Sequence, residues 1–132
     1  MLYLFDTNIL IYYFNGQIAD KDVETIDNLL QNSFNISIIS KIEFLGWGEF
    51  AANPALCDRA QEFIRHAVLY DLTEEIADET IKLRQQFKTK TPDAIIAATA
   101  LVNGLAVLTR NTDDFNRLGV ETRSIILKEE KR

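Results

Sequence analysis

Cysteine, histidine and glycine are scarce in this sequence, and each scarcity excludes a class of site. The 132 residues include one cysteine, Cys57, and one histidine, His66, which excludes an intramolecular disulfide and a zinc site built from several Cys or His ligands. A Cys57–His66 pair is also excluded, because a spacing of nine residues places the two on opposite faces of one predicted helix. The five glycines match neither a Walker A loop nor a dinucleotide-binding fingerprint.

Long apolar runs and an excess of positive charge are also missing. No apolar stretch approaches the ~20 residues that a membrane helix requires, and the N-terminus, MLYLFDTN, lacks the basic region of a signal peptide. We therefore expect a cytoplasmic protein with no membrane association. The net charge of −6, from 14 Lys and Arg against 20 Asp and Glu, argues against nucleic-acid binding through bulk positive charge. A cluster of acidic metal ligands would add to the same negative balance.

Short apolar runs alternate with helical patterns along the whole chain. The runs typical of buried strands are LYLF (2–5), NISIIS (35–40), AVLYDLT (67–73), LAVLT (105–109) and SIIL (124–127). Helices are predicted over 20–31, from a capping box formed by Ser40 and Glu43, from Pro54 with Asn53 as its cap, from Thr73, and from Pro92 toward Gly104. A further short helix is predicted to reach Gly119.

This alternation predicts an α/β fold. We expect a single domain with an open, mostly parallel central sheet of about four to five strands, flanked by helices on both faces. The domain is predicted to cover residues 1–127, and residues 128–132 to form a flexible charged C-terminal tail.

Carboxylates fall near four of the predicted element boundaries. Asp6 ends the first strand, Glu43 lies one turn into the helix after the second, and Asp93 lies near the start of the Pro92 helix. Asp114, with Asp113 beside it, follows LAVLT. Since ligands bind beyond the carboxyl ends of strands in such sheets, these carboxylates converge if their boundaries share one edge. Oxygen ligands without His or Cys suit Mg²⁺ or Mn²⁺, which activate water for phosphodiester hydrolysis.

Each acid also has an interpretation that involves no site. Glu43 completes a capping box, Asp93 favours a helix N-terminus, and Asp6 could be held by the dipole of the helix that follows it. The pair at 113 and 114 could form a turn and a solvated helix start. Four polar residues beside the acids are predicted to hold carboxylates or metal-bound waters: Asn8, Ser40, Thr109 and Asn111.

Four motifs, in order, carry a resemblance that covers residues 2 to about 126. They are LFDTNILIYYF, ISKIEFLGW, TPDAIIAATAL and LTRNTDDF, and together they resemble the PIN-domain ribonucleases, in particular the VapC-type toxins of bacterial toxin–antitoxin pairs. The resemblance implies an endoribonuclease that depends on Mg²⁺ or Mn²⁺, commonly forms a homodimer, and is silenced by a cognate antitoxin protein inserted into the acidic pocket. Its catalytic and metal-binding positions fall on Asp6, Glu43, Asp93 and Asp114.

The third motif departs from the family pattern by adding lysines in KTKTPD. The candidate contacts for RNA phosphates are Arg84, Lys88, Lys90 and Arg110, with a solvated basic face as the alternative.

Other functional classes fit less well. A dehalogenase-like phosphatase requires a second acid two residues after Asp6, where this chain has Asn8. A phosphoacceptor receiver domain requires paired acids before Asp6, and the sequence has none there. The remaining alternative is a PIN-like RNA-binding or protein-interaction module with weak catalysis, although the retention of all four acids argues against a degenerate copy.

Overall fold

Five short parallel strands form the centre of the molecule. The computed structural model describes residues 1–130, in which the strands pair in the order β3-β2-β1-β4-β5, every pair being parallel. The strands are β1 (Tyr3–Phe5), β2 (Asn35–Ser37), β3 (Val68–Tyr70), β4 (Ala106–Leu108) and β5 (Thr122–Arg123). The predicted α/β class with a central parallel sheet is confirmed.

Helices cover both faces of this sheet. They are α1 (Thr7–Phe14), α2 (Asp20–Asn32), α3 (Ile38–Leu45), α4 (Glu49–Ala52), α5 (Pro54–Arg65), α6 (Glu74–Gln86), α7 (Thr91–Asn103) and α8 (Thr112–Asn116). Leu4 packs with side chains of α6, α7 and α8, whereas its neighbour Phe5 packs with those of α1, α2, α3 and α5. In β4, Val107 packs on the same face as Leu4, and Leu108 packs on the same face as Phe5. Successive strand residues point to opposite faces, so the two-sided burial explains why these strands are apolar throughout.

The second strand is shorter than predicted, and the capping box at Ser40 is wrong. Helix α3 begins at Ile38, and its cap is Ser37, whose hydroxyl accepts a hydrogen bond from the backbone N–H of Ile39 at 3.1 Å. A serine in either position offers the same capping oxygen, and the isoleucines between them suit a strand or a buried helix. Ser40 is therefore a buried residue inside the helix. The predicted cap Asn53 is confirmed, and the helix predicted from Thr73 begins at Glu74 with Thr73 as its cap.

The last strand also differs from the prediction. Strand β5 is Thr122–Arg123, which pairs with Val107 and Leu108 of β4, and residues 124–127 continue past the sheet. Because β4 ends at Leu108 and the chain then turns into α8, the SIIL segment has no neighbouring strand there. Leu127 instead forms an isolated antiparallel bridge with Ile18.

The segment after this bridge makes contacts with the domain. The backbone N–H of Lys128 donates to Gln17 O at 2.9 Å, and Glu130 forms an ion pair with Arg110 at 2.7 Å. The proposed tail extends to residue 132, and residues 131 and 132 lie outside the described residues. The boundary at residue 127 stays a prediction. Within residues 1–130, none of the helices has the length and apolarity needed to cross a membrane.

Candidate functional site

The carboxyl ends of three neighbouring strands meet at one edge of the sheet. Phe5 pairs with Leu108, so Asp6 and Thr109 leave β1 and β4 side by side. On the other side of β1, strand β2 leads directly into α3, which carries Glu43. The parallel sheet therefore brings three distant chain segments to one place, as open α/β sheets do at their ligand sites.

Asp6 is a buried carboxylate with two hydrogen-bond donors. Its side chain is 5% exposed; Oδ1 accepts from the backbone N–H of Thr7 at 2.8 Å and Oδ2 from the Thr109 hydroxyl at 2.7 Å. Burial raises the pKa of Asp6 to about 6, the hydrogen bonds from Thr109 and Thr7 oppose that shift, and the charges of Asp93 and Glu43 add to it. Asp6 therefore carries a destabilising charge at neutral pH.

Asp93 is affected by the charge of Asp114 as well as by that of Glu43, and its own charge acts on Asp6. It is the third residue of α7, and burial followed by the negative charges of Glu43 and Asp114 raises its pKa, while Lys90 and Arg117 lower it. The charges therefore act on one another in pairs: Asp93 and Glu43 raise the pKa of Asp6, and Glu43 and Asp114 raise that of Asp93.

Glu43 is held by a residue that sequence reasoning missed. The Thr7 hydroxyl lies 2.7 Å from Glu43 Oε1 and 3.0 Å from Ser40 Oγ. Thr7 is the first residue of α1, directly after Asp6. Only the pairing of β1 with β2, which places α1 beside α3, could have indicated this contact.

A cleft of about 710 Å³ opens beside Asp93 and combines acidic with basic side chains. Its lining residues are Arg84, Lys88, Thr89, Lys90, Asp93, Asn111, Asp114 and Arg117. Three of the four predicted phosphate contacts thus lie in one cleft with two of the predicted acids. Arg117 is a further cation of this cleft that sequence reasoning missed, and it donates to the backbone carbonyl of Lys88 at 2.6 Å.

Arg110, the fourth predicted phosphate contact, does not line this cleft. Its guanidinium donates to Ile125 O at 2.7 Å and forms an ion pair with Glu130 at 2.7 Å. Both interactions fasten the C-terminal segment to the turn after β4. This arrangement gives Arg110 a structural contact that competes with phosphate binding.

Comparisons with known proteins identify the family of this chain. A family model described as the PIN domain matches residues 3–121 of the chain. The chain belongs to the PIN domain family. Members of this family are nucleases, and the predicted resemblance to its VapC-type members is confirmed.

Solved structures are similar to this PIN domain over most of its length. A toxin–antitoxin complex from Klebsiella pneumoniae has 33% identity and a TM-score of 0.68, covering 86% of this chain and 89% of the other. DNA-bound VapBC from Salmonella typhimurium has 25% identity and a TM-score of 0.79, covering 94% and 98%. FitAcB from Neisseria gonorrhoeae shares the fold at 24% identity and a TM-score of 0.77, covering 92% and 96%. No curated protein matched the sequence.

The side chains of the PIN domain offer the donor chemistry of a divalent-metal site. All four carboxylates supply hard oxygen ligands of the kind that Mg²⁺ and Mn²⁺ prefer. Within residues 1–130, the ion pairs involve Glu62 and Glu130, and none involves these four acids. The same part of the chain contains no group of three His, Cys, Asp or Glu side chains compact enough to hold a metal ion. The chemistry of these donors suits a hard cation, but the acids within residues 1–130 are not arranged as a compact metal-binding group. Metal binding by these residues stays a prediction.

The four predicted supporting residues occupy different positions around the acids of the PIN domain. The Thr109 hydroxyl donates a hydrogen bond to Asp6, whereas Ser40 is hydrogen-bonded to Thr7, which in turn contacts Glu43. Asn8 Oδ1 accepts from the backbone N–H of Arg110 at 3.4 Å, so it contacts the turn after β4 rather than a carboxylate. Asn111 lines the cleft, and its backbone N–H donates to the Thr109 hydroxyl at 2.9 Å.

Proposed function

We propose that this PIN domain is an endoribonuclease that depends on Mg²⁺ or Mn²⁺ and acts in the cytoplasm as the toxin of a type II toxin–antitoxin pair. The observation that carries the proposal is geometric: Asp6 and Glu43 both contact Thr7 at the carboxyl edge of the sheet, and Asp93 and Asp114 line one cleft. The effects of these charges on the pKa values of Asp6 and Asp93 support it. Carboxylates gathered in this way repel one another unless a cation lies among them. Their position agrees with the nuclease activity of the family.

The acids have distinct roles in this proposal. Asp6 and Asp93 would be the core ligands of the cation, Glu43 would bind it directly or through water, and Asp114 would complete the set. A bound divalent cation supplies a water of lowered pKa and stabilises negative charge on the phosphate. Thr109 and the Thr7 backbone orient the Asp6 oxygens, which limits the movement of this carboxylate.

The basic side of the cleft would hold the RNA. Arg84, Lys88, Lys90 and Arg117 line the same cleft as Asp93 and Asp114, so phosphates bound by the cations would lie next to the acids. Local positive charge of this kind permits nucleic-acid binding by a chain whose net charge is −6. Because Arg110 is engaged by Ile125 and Glu130, we expect it to contribute less.

The proposed protein partners are a cognate antitoxin and a second copy of this chain. The similar Klebsiella pneumoniae structure is a toxin–antitoxin complex, which supports an antitoxin for this PIN domain. An antitoxin arginine that reached the acids would form charge-assisted hydrogen bonds with carboxylates that repel one another. The homodimer follows from the resemblance to the family.

Cleavage of a defined RNA by the purified protein tests the enzymatic proposal. We expect cleavage with Mg²⁺ or Mn²⁺, none with a chelator, and a loss of at least about 100-fold in Asp6→Asn and Asp93→Asn, since each removes a charged ligand. Asp58→Asn is the matched control, because Asp58 is an exposed residue of α5. Cleavage by either site variant at the parental rate would contradict the assignment. Growth arrest on expression, relieved by the same two substitutions, tests the toxin role.

One observation favours a non-catalytic module as the second candidate. The acids within residues 1–130 do not form a compact group of three ligands, which suits a PIN fold that binds RNA or protein without cutting RNA. RNA binding by the parent that is unaffected by Mg²⁺ and Mn²⁺, with no cleavage in either metal, would support this candidate.

A further inference from the structure

Thr7 lies between the first two acids of the candidate site and contacts both. Its side chain is buried, with a relative exposure of 8%. The backbone N–H donates to Asp6 Oδ1 at 2.8 Å, and the hydroxyl oxygen lies 2.7 Å from Glu43 Oε1. The same hydroxyl lies 3.0 Å from Ser40 Oγ. One residue of α1 therefore contacts both a carboxylate after β1 and a carboxylate of α3.

The number of available protons sets the direction of these hydrogen bonds. The Thr7 hydroxyl has one proton, and an ionised carboxylate can only accept. Thr7 therefore donates to Glu43, and the contact with Ser40 requires the Ser40 hydroxyl as its donor. Ser40 is fully buried, so a donor without a partner would be costly there. The contacts thus form a directed chain from Ser40 through Thr7 to Glu43.

We propose that Thr7 is a positioning residue that fixes the Glu43 carboxylate relative to Asp6, an inference that rests on the proposed nuclease function. Glu43 is an exposed position of α3, where a glutamate side chain samples many rotamers. The Thr7 contact is its one side-chain hydrogen bond within the described residues. Holding one carboxylate oxygen directs the remaining lone pairs of Glu43 toward the site, as outer-shell partners do for metal ligands.

The test compares Thr7→Val, which removes the hydroxyl and keeps the branched shape, with Thr7→Ser, which keeps the hydroxyl. We expect Thr7→Val to weaken Mn²⁺ binding, measured by titration calorimetry, and to lower kcat/KM for RNA cleavage, each by about 10–100-fold. Thr7→Ser should restore both values to within about threefold of the parent, because the hydroxyl supplies the effect. Circular dichroism checks the fold, and Thr7→Ala replaces Thr7→Val if the valine variant does not fold.

A double-mutant cycle separates positioning from a general loss of structure. If Thr7 acts through Glu43, then Thr7→Val should change Mn²⁺ affinity by less than about twofold in a Glu43→Ala background, which lacks the carboxylate that Thr7 contacts. An equal loss in both backgrounds, or no rescue by Thr7→Ser, would overturn the proposed role.

The parent protein distinguishes this inference from the function on which it rests. A parent that neither binds Mn²⁺ nor cleaves RNA would contradict the proposed nuclease. A parent that does both, together with a Thr7→Val variant that matches it in both measurements, would overturn the role of Thr7 alone.

Discussion

Neutralising Asp6 should stabilise the protein in the presence of a chelator, and by more at high pH. Burial raises the pKa of Asp6 from 3.8 to about 6. Because the folded state keeps this proton over a pH range in which the unfolded chain has lost it, stability falls as the pH rises from about 4 to about 6 and stays low above that range. Asp6→Asn removes the ionisation and with it this loss of stability.

The size of the effect follows from the two pKa values. A shift of about two units corresponds to about 3 kcal/mol of destabilisation when Asp6 is fully ionised. Near pH 5 about half of that loss is already present, so the advantage of Asp6→Asn should grow by about 1–2 kcal/mol between about pH 5 and about pH 8. Asparagine fits the site because its oxygen can accept from the Thr7 backbone, while its amide can donate to the Thr109 hydroxyl oxygen.

Denaturant unfolding of the parent and Asp6→Asn at both pH values, in chelator, measures this difference directly. The raised pKa of Asp93 changes stability with pH in the same direction, but it is present in both proteins and largely cancels in their difference. Asp58→Asn, at an exposed position of α5, is the control and should show no such growth. A difference that stays constant or shrinks as the pH rises would refute the reasoning that burial makes the Asp6 charge costly.

Two further predictions concern a glycine and the basic cleft. Gly46→Ala should lower the free energy of unfolding by about 1–3 kcal/mol, because an added Cβ would lie 2.6 Å from the Ile42 carbonyl oxygen. Gly48→Ala is the control and should not lower it, since an added Cβ there would have nothing within 4 Å. Equal denaturation midpoints for the two variants would contradict this prediction. Because Arg117 lines the cleft, Arg117→Ala should weaken RNA binding in chelator and reduce the slope of log affinity against log salt by about 1. A filter-binding assay measures both quantities, and the control Arg59→Ala, at an exposed position, should leave both unchanged.

The features that the sequence predicted correctly depend on local chemistry. Alternating strands and helices indicated the parallel sheet, and Asn53 and Thr73 marked the starts of α5 and α6, because a cap involves residues only a few positions apart. The position of Asp6 after an apolar strand also needed no knowledge of the fold. These signals hold over short stretches of chain, where pattern and structure are directly linked.

The features that the sequence did not predict depend on contacts between distant segments. Ser37 and Ser40 are equivalent as capping residues, and only the length of β2 decides which one caps α3. The sequence indicated Arg110 and not Arg117 as a phosphate contact. In the structure, Ile125 and Glu130 engage Arg110, whereas Arg117 lines the cleft. These differences depend on contacts with residues that are far away in sequence, and a local sequence pattern does not show such contacts.

The charge of Asp6 cannot be explained by its structural role alone. Asp6 caps α1 through the Thr7 backbone N–H, and asparagine caps helices as well as aspartate does. The same carboxylate accepts a hydrogen bond from the Thr109 hydroxyl, which an asparagine amide would replace with a hydrogen bond in the opposite direction. A carboxylate whose ionisation opposes folding, at a helix cap that an asparagine also fills, requires another reason to be present. Ligation of a cation shared with Glu43 and Asp93 would supply that reason, because the negative charge itself contributes to metal binding.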